Sequence, residues 1–185
     1  MKQLVLTLAG IFFSQAVVLC AQGASHSEPT EYIEPATVPS ALSLHVGQSL
    51  VLRVYASGYQ VYQCGTAEGS PTWILSGPDA NLFDGKRNLV GSHFATSGSP
   101  TWRLNDGSEI TAKKVAAAPS PDGSAVPWLM LTVSAHSGKS GLLNEVTTVQ
   151  RVNTSGGLAP ASGCDANHQG RITKSPYSAE YYFSK

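Results

Sequence analysis

The sequence predicts an all-β protein: a single antiparallel β-sandwich or partly closed β-barrel with long loops and one disulfide. Three observations carry that prediction. Apolar and polar residues alternate with a period of two over several stretches. Those stretches are rich in β-branched and aromatic residues and are bounded by Gly, Pro, Asn or Asp. No stretch of about twelve residues shows a helical period. With 18 glycines and 11 prolines the chain carries the punctuation of strands and turns.

Taken in order, residues 1–23 read as a signal peptide. Lys2 gives a positive start, and an apolar run from Leu4 to Leu19 is interrupted by Ser14 and Gln15. Ala21-Gln22-Gly23 then fits the small-x-small cleavage rule, leaving Ala24 as the mature N-terminus. The alternative, a retained anchor, is opposed by a run shorter than the ~20 apolar residues needed to span a bilayer. No transmembrane segment is therefore expected in the mature chain. Cys20 does not read as a lipidation site, because Leu19 precedes it where that signal wants a small residue. Residues 24–40 are polar, with Pro29, Pro35 and Pro39 spaced through them, and read as an extended arm. Residues 41–185 form a single β-rich domain. The roughly 160 residues left after cleavage suffice for one core.

Ser49 to Ala56 alternates, with Leu50, Leu52 and Val54 on one face. After a break at Ser57-Gly58, Tyr59 to Cys64 repeats the habit. Val126 to Ala135 is almost continuously apolar, as a strand buried on both faces would be. Leu142 to Val146 has room for one helical turn. Glu145 to Asn153 alternates again, and Tyr177, Ala179, Tyr181 and Phe183 align on one face of a last strand. Gly69-Ser70-Pro71-Thr72-Trp73 recurs letter for letter as Gly98-Ser99-Pro100-Thr101-Trp102, which predicts two like β units side by side. Each copy leads to an Asp-Gly turn, at Asp84-Gly85 and Asp106-Gly107. Asn105-Asp106-Gly107 predicts a type I′ hairpin.

Charge excludes several functions. Charged residues make up 13% of the chain, against ~25% in an average soluble domain, and the formal net charge is zero. With no block of basic residues to neutralise phosphates, nucleic acid is not an expected partner. The expected partner is a small molecule, a glycan or a component of the cell envelope, in a secreted or periplasmic protein.

Once the signal peptide leaves, Cys64 and Cys164 are the remaining cysteines, and an oxidising compartment allows them one intramolecular pairing. The alternative is two buried thiols.

Candidate chemistry clusters late in the chain. Asp165 and His168 follow Cys164 closely and could act as an orienter and a base. Equally, Asp165 could cap a turn while His168 bonds backbone. Arg151, with its planar fork, could clamp a carboxylate or phosphate, or could lie on a solvated face. His93, in Gly91-Ser92-His93-Phe94, could join these only through the fold. His93, Arg151, Asp165 and His168 are thus the candidate catalytic set. Trp73 and Trp102 are candidate stacking platforms for a ligand, with Gln150 and Asn153 as polar contacts; tryptophans repeated at equivalent β positions can equally fill a core. Asn153-Thr154-Ser155 is a glycosylation sequon, relevant in a eukaryotic host. No set of histidines has metal-ligand spacing, so no metal is expected. The glycine turns of dinucleotide and hydrolase sites are missing too, so no cofactor is expected.

Several segments resemble a known family. They include Tyr59-Gln60-Val61-Tyr62-Gln63-Cys64, Gly91-Ser92-His93-Phe94, Asp106-Gly107-Ser108, Pro127-Trp128-Leu129, Val149-Gln150-Arg151-Val152-Asn153-Thr154, Gly163-Cys164-Asp165 and Tyr181-Tyr182-Phe183. Together they resemble domain of unknown function 3455, found in secreted proteins of bacteria and filamentous fungi. The resemblance implies no established activity. The malate dehydrogenase label often given to fungal members does not transfer to a chain without a dinucleotide-binding turn or βαβ alternation. The expected function is a non-catalytic, exported domain that binds a ligand or partner. The alternative is a secreted hydrolase or metal-binding enzyme.

Overall fold

The computed structural model describes residues 38–185. The expected signal peptide and all but the end of the expected arm lie outside the described residues. Eight strands follow in chain order: β1 (Leu50–Ala67), β2 (Ser70–Phe83), β3 (Leu89–Thr96), β4 (Ser99–Leu104), β5 (Ser108–Ala118), β6 (Trp128–Gly138), β7 (Thr148–Gly156) and β8 (Ile172–Ser184). Each pairs antiparallel with the next, and β8 returns to β1, so the sheet closes on itself. Of the two expected architectures the barrel is the one formed, and its closure is complete. The seam runs from Leu50↔Ser184 to Gln63↔Ile172. Among the described residues closure leaves no strand with a wholly unpaired edge to template aggregation, although the upper part of β2 pairs with β1 alone.

Strand alternation decides what lies inside. Along β1, Val54, Ala56, Gln60, Tyr62 and Cys64 are buried, while Arg53, Ser57 and Gln63 are exposed. Along β8 the aligned set Tyr177, Ala179, Tyr181 and Phe183 is buried in the main core. The β2–β3, β4–β5 and β6–β7 connections gather at one end, here the lower one. Val54, Leu82, Leu104, Ile110, Leu143 and Phe183 belong to the core on that side. The upper end carries the β1–β2 and β3–β4 turns and the longer β5–β6 and β7–β8 loops.

A second cluster lies on the outer face of the sheet, where Leu42 packs with Trp128, Met130, Val152 and Tyr182. A 3-10 turn over Ser40–Leu42 delivers Leu42, which is fully buried.

Four local expectations change. Ser57-Gly58 does not break the chain, because β1 runs through it as one strand of 18 residues. A Cβ at Gly58 would lie 2.3 Å from the Asp79 carbonyl oxygen, so the glycine lets β1 and β2 approach closely rather than ending a strand. The apolar run after Val126 is buried only in its first half: Trp128, Met130 and Leu131 are buried, whereas Ser134 and Ala135 are exposed. β7 starts at Thr148 rather than Glu145, since Leu142–Glu145 make the expected helical turn, of 3-10 type.

The fourth change concerns the turns. At Asn105-Asp106-Gly107 only Gly107 has positive φ, at +89°. With Gly107 N–H bonded to Leu104 O, this is a three-residue loop of type I followed by a left-handed glycine. The type I′ geometry belongs instead to Glu68-Gly69 (φ 51° and 78°) and Ser97-Gly98 (φ 49° and 79°). These turns open the two copies of Gly-Ser-Pro-Thr-Trp, with pairs Ala67↔Ser70 and Thr96↔Ser99 flanking them. The repeated pentapeptide is a repeated hairpin.

Cys64 and Cys164 form a disulfide with Cα atoms 5.3 Å apart, joining the upper part of β1 to the β7–β8 loop.

Candidate functional site

Whereas the lower interior is apolar, the upper interior is not. The same alternation that buries Val149 places Arg151 two residues on, inside the mouth of the barrel. Gln60, His93, Trp102 and Tyr181 line the same cavity, of about 280 Å³. Leu75–Pro78 of β2 and Gly98 and Pro100 at the β3–β4 turn also line it. β2 is bonded to β3 only from Ala80 to Phe83, so the upper part of β2 is not tied to its neighbour.

His93 is 2% exposed. Its Nδ1 lies 2.8 Å from Thr101 O, and since a carbonyl can only accept, Nδ1 carries the proton. The ring stacks on Trp102 with centroids 4.4 Å apart and meets Tyr181 edge-on at 5.0 Å. Burial pushes its pKa down to about 3, the Arg151 charge pushes the same way, and the Thr101 carbonyl opposes both. The imidazole is therefore neutral at pH 7, with Nε2 left as an acceptor.

This burial has a measurable cost in acid. The unfolded chain takes up the His93 proton near the ordinary 6.5, whereas the folded protein does so only near 3. Stability is therefore complete above about pH 6.5 and is lost at roughly 1.4 kcal/mol per pH unit below it. At pH 5 the expected loss from this group is about 2 kcal/mol. His93→Gln should flatten that part of the curve in urea titrations between pH 7 and pH 4. Identical slopes for the two proteins would show that His93 is not held neutral by the fold.

Arg151 is half-buried, and its Nε and Nη2 donate to Pro127 O at 3.1 and 2.7 Å. Arg53 and Arg103 on the outer surface pair with Glu180 and Glu109. Among the described residues Arg151 pairs with no carboxylate. Its charge favours ionisation of Tyr177 and Tyr181, but burial outweighs it and both phenols are raised above their ordinary pKa. The two hydroxyls share a 2.5 Å hydrogen bond. Two more donors complete the interior. Gln60 Nε2 and Trp102 Nε1 are buried, and neither finds an acceptor among the described residues.

The other candidates lie elsewhere. Asp165 caps the 3-10 turn Ala166–His168, and its Oδ1 accepts from Asn167 N–H and from His168 Nδ1, each at 2.8 Å. The His168 bond first, then the Asn167 amide, hold the Asp165 carboxyl below its usual range. Both side chains are exposed on the β7–β8 loop. The fold thus brings His93 and Arg151 together and leaves Asp165 and His168 as a separate exterior pair. Trp102 lines the cavity, but Trp73 leans on the disulfide loop and donates to Ser162 O at 3.0 Å. Gln150 faces outward, where its Nε2 donates to Leu42 O. Asn153 is exposed in left-handed backbone, φ 49°, at a β7 irregularity. Among the described residues no three His, Cys, Asp or Glu side chains group as metal ligands. No helix among them is long and apolar enough to cross a membrane.

Sequence reasoning missed Gln60 as a site residue, whereas Tyr181 is among the tyrosines it offers as looser stacking candidates. The signal for Gln60 was present: it is the one polar side chain in the inward row that runs from Val54 to Cys64. The family model for proteins of unknown function (DUF3455) matches residues 45–185, which includes every strand. No curated protein and no solved structure matches the chain.

Proposed function

Because the chain belongs to DUF3455, a family of proteins of unknown function, we propose a function from its interior alone: an exported, non-catalytic barrel that holds a small molecule in its upper cavity. The observation that carries this reading is a cavity of about 280 Å³ whose wall includes two buried polar donors without protein acceptors. Buried polar groups are ordinarily satisfied, and exceptions call for an explanation. Eight-stranded barrels are just wide enough to hold one small ligand. The volume falls just below the roughly 300–1,000 Å³ usual for such sites, which points to a small guest.

A binding role is favoured over catalysis by what lines the wall. No carboxylate or thiol is there, and a histidine with a pKa near 3 is a poor general base at neutral pH. A disulfide persists in oxidising compartments, which supports export. A cavity of about 280 Å³ favours a small molecule over a glycan, and Trp73 is already engaged by the loop it covers.

The test is a fragment screen read by amide chemical shifts of the folded, oxidised protein. Binders should perturb amides around His93, Gly98, Trp102 and Arg151 and leave Asp165 and His168 unmoved. Shifts confined to the Asp165–His168 loop would favour the enzyme reading instead, and a screen without any response at the cavity would sink the proposal.

A further inference from the structure

We infer that the ligand is an organic carboxylate with an apolar body of one ring or a short chain, and that its carboxylate seats against Arg151. This rests on the cavity being a binding site and names what the site selects. The polarity of the wall is one-sided. Arg151 and Lys114 are cations, and Gln60 Nε2 and Trp102 Nε1 are buried donors without acceptors. Against them stands His93 Nε2, an acceptor because Nδ1 carries the proton. No acidic residue lines the cavity. A guest that supplies acceptors and negative charge would satisfy what the wall lacks, whereas a cation would meet two like charges.

Arg151 is the expected anchor. A guanidinium presents donors in a planar fork that matches a carboxylate edge-on. Here the Nε–Nη2 edge of that fork is held by Pro127 O, which fixes its orientation at the mouth of the barrel and leaves the Nη1 side to the guest. A half-buried arginine without a carboxylate partner is unlike the exterior Arg53 and Arg103, whose charges are matched within the fold. The remainder of the wall dictates the guest's body. Leu129, Leu131, Ala95 and Pro100 surround the space, and the flat indole of Trp102 offers a surface for a ring. The volume equals that of about nine water molecules in the liquid, which restricts the guest to a single ring or a short chain.

The experiment uses matched series on oxidised protein: benzyl, cyclohexyl and hexyl bodies, each carrying a carboxylate, a primary amide or an ammonium group. Affinity is read by tryptophan emission and calorimetry. In at least one series the carboxylate should bind about tenfold or more tighter than its amide, and the ammonium should bind weakest. Arg151→Met should abolish that preference while retaining amide binding. Lys114→Met, at an exposed rim position, should reduce the preference only partly and serves as the second variant should Arg151→Met fail to fold. Amides that match or outbind their carboxylates would overturn the charge inference and leave the cavity reading intact. Absence of binding by every compound would overturn both. A carboxylate preference that survives intact in Arg151→Met would overturn the assignment of the anchor.

Discussion

Trp102→Ala should lower the stability of the barrel by about 3–5 kcal/mol, the range for truncating a buried large aromatic. The indole is 1% exposed and lies at the boundary between the apolar lower core and the polar upper cavity. His93 stacks on one face of it, and Tyr181 and Phe183 meet it edge-on at 5.3 and 5.9 Å. Removing it deprives three rings of their contact surface at once, and aromatic pairs contribute beyond the area they bury. The loss also merges the void with the cavity above. Water could then reach Phe183 and Ile110, which are completely buried in the intact protein. Trp102→Phe tests the same account from the other side, since it retains a ring and removes the unsatisfied indole N–H. Its cost should be clearly smaller than that of the alanine variant, because most of the ring contacts remain. Urea unfolding followed by far-ultraviolet circular dichroism measures both. A cost under 1 kcal/mol for the alanine variant would mean that this tryptophan is not the partition between core and cavity.

Much of this was legible in the sequence, and the exceptions have physical causes. Period-two alternation in β8 identified Tyr177, Ala179, Tyr181 and Phe183 as one face, because strand geometry leaves no other way to align them. The pairing of Cys64 with Cys164 followed from counting. Turn chemistry was read less well. An Asn-Asp-Gly run suits a type I′ turn, yet it also suits the three-residue loop it forms, and both tolerate positive φ at the glycine. Glu68 and Ser97 adopt left-handed backbone without being residues that favour it, so the Gly that follows each was the only local clue. For the site, proximity in sequence misled. Asp165 and His168 are adjacent because they share a capped turn, whereas His93 and Arg151 meet through closure of the barrel. That convergence depends on which strands become neighbours, and no single strand's pattern contains it.

Loss of the Cys64–Cys164 bridge should cost up to about 4.7 kcal/mol in the chain-entropy model for a loop of this length. The two cysteines are 100 residues apart, so the bridge restricts most of the unfolded domain. The folded state should change little. Cys64 N–H already bonds Arg171 O at 2.7 Å, Gly170 N–H bonds Cys64 O at 2.8 Å, and Tyr62 OH donates to Gly157 O at 2.6 Å. These bonds hold the β7–β8 loop on β1 without help from sulfur, so the stabilisation acts through the unfolded ensemble. Two consequences distinguish this from a packing effect. Cys64→Ala and Cys164→Ala should each cost nearly as much as the double variant, because either one abolishes the same bridge. The urea m-value should rise in all three, since an unfolded chain without the cross-link exposes more surface. Single variants whose costs sum to that of the double, with an unchanged m-value, would show that each side chain contributes only its own packing. Against a total stability of roughly 5–15 kcal/mol for a domain, the larger outcome would leave the reduced protein close to unfolding. The same measurement on reduced wild-type protein should then coincide with the double variant, because alanine at both positions and two thiols differ little once the covalent tie is gone.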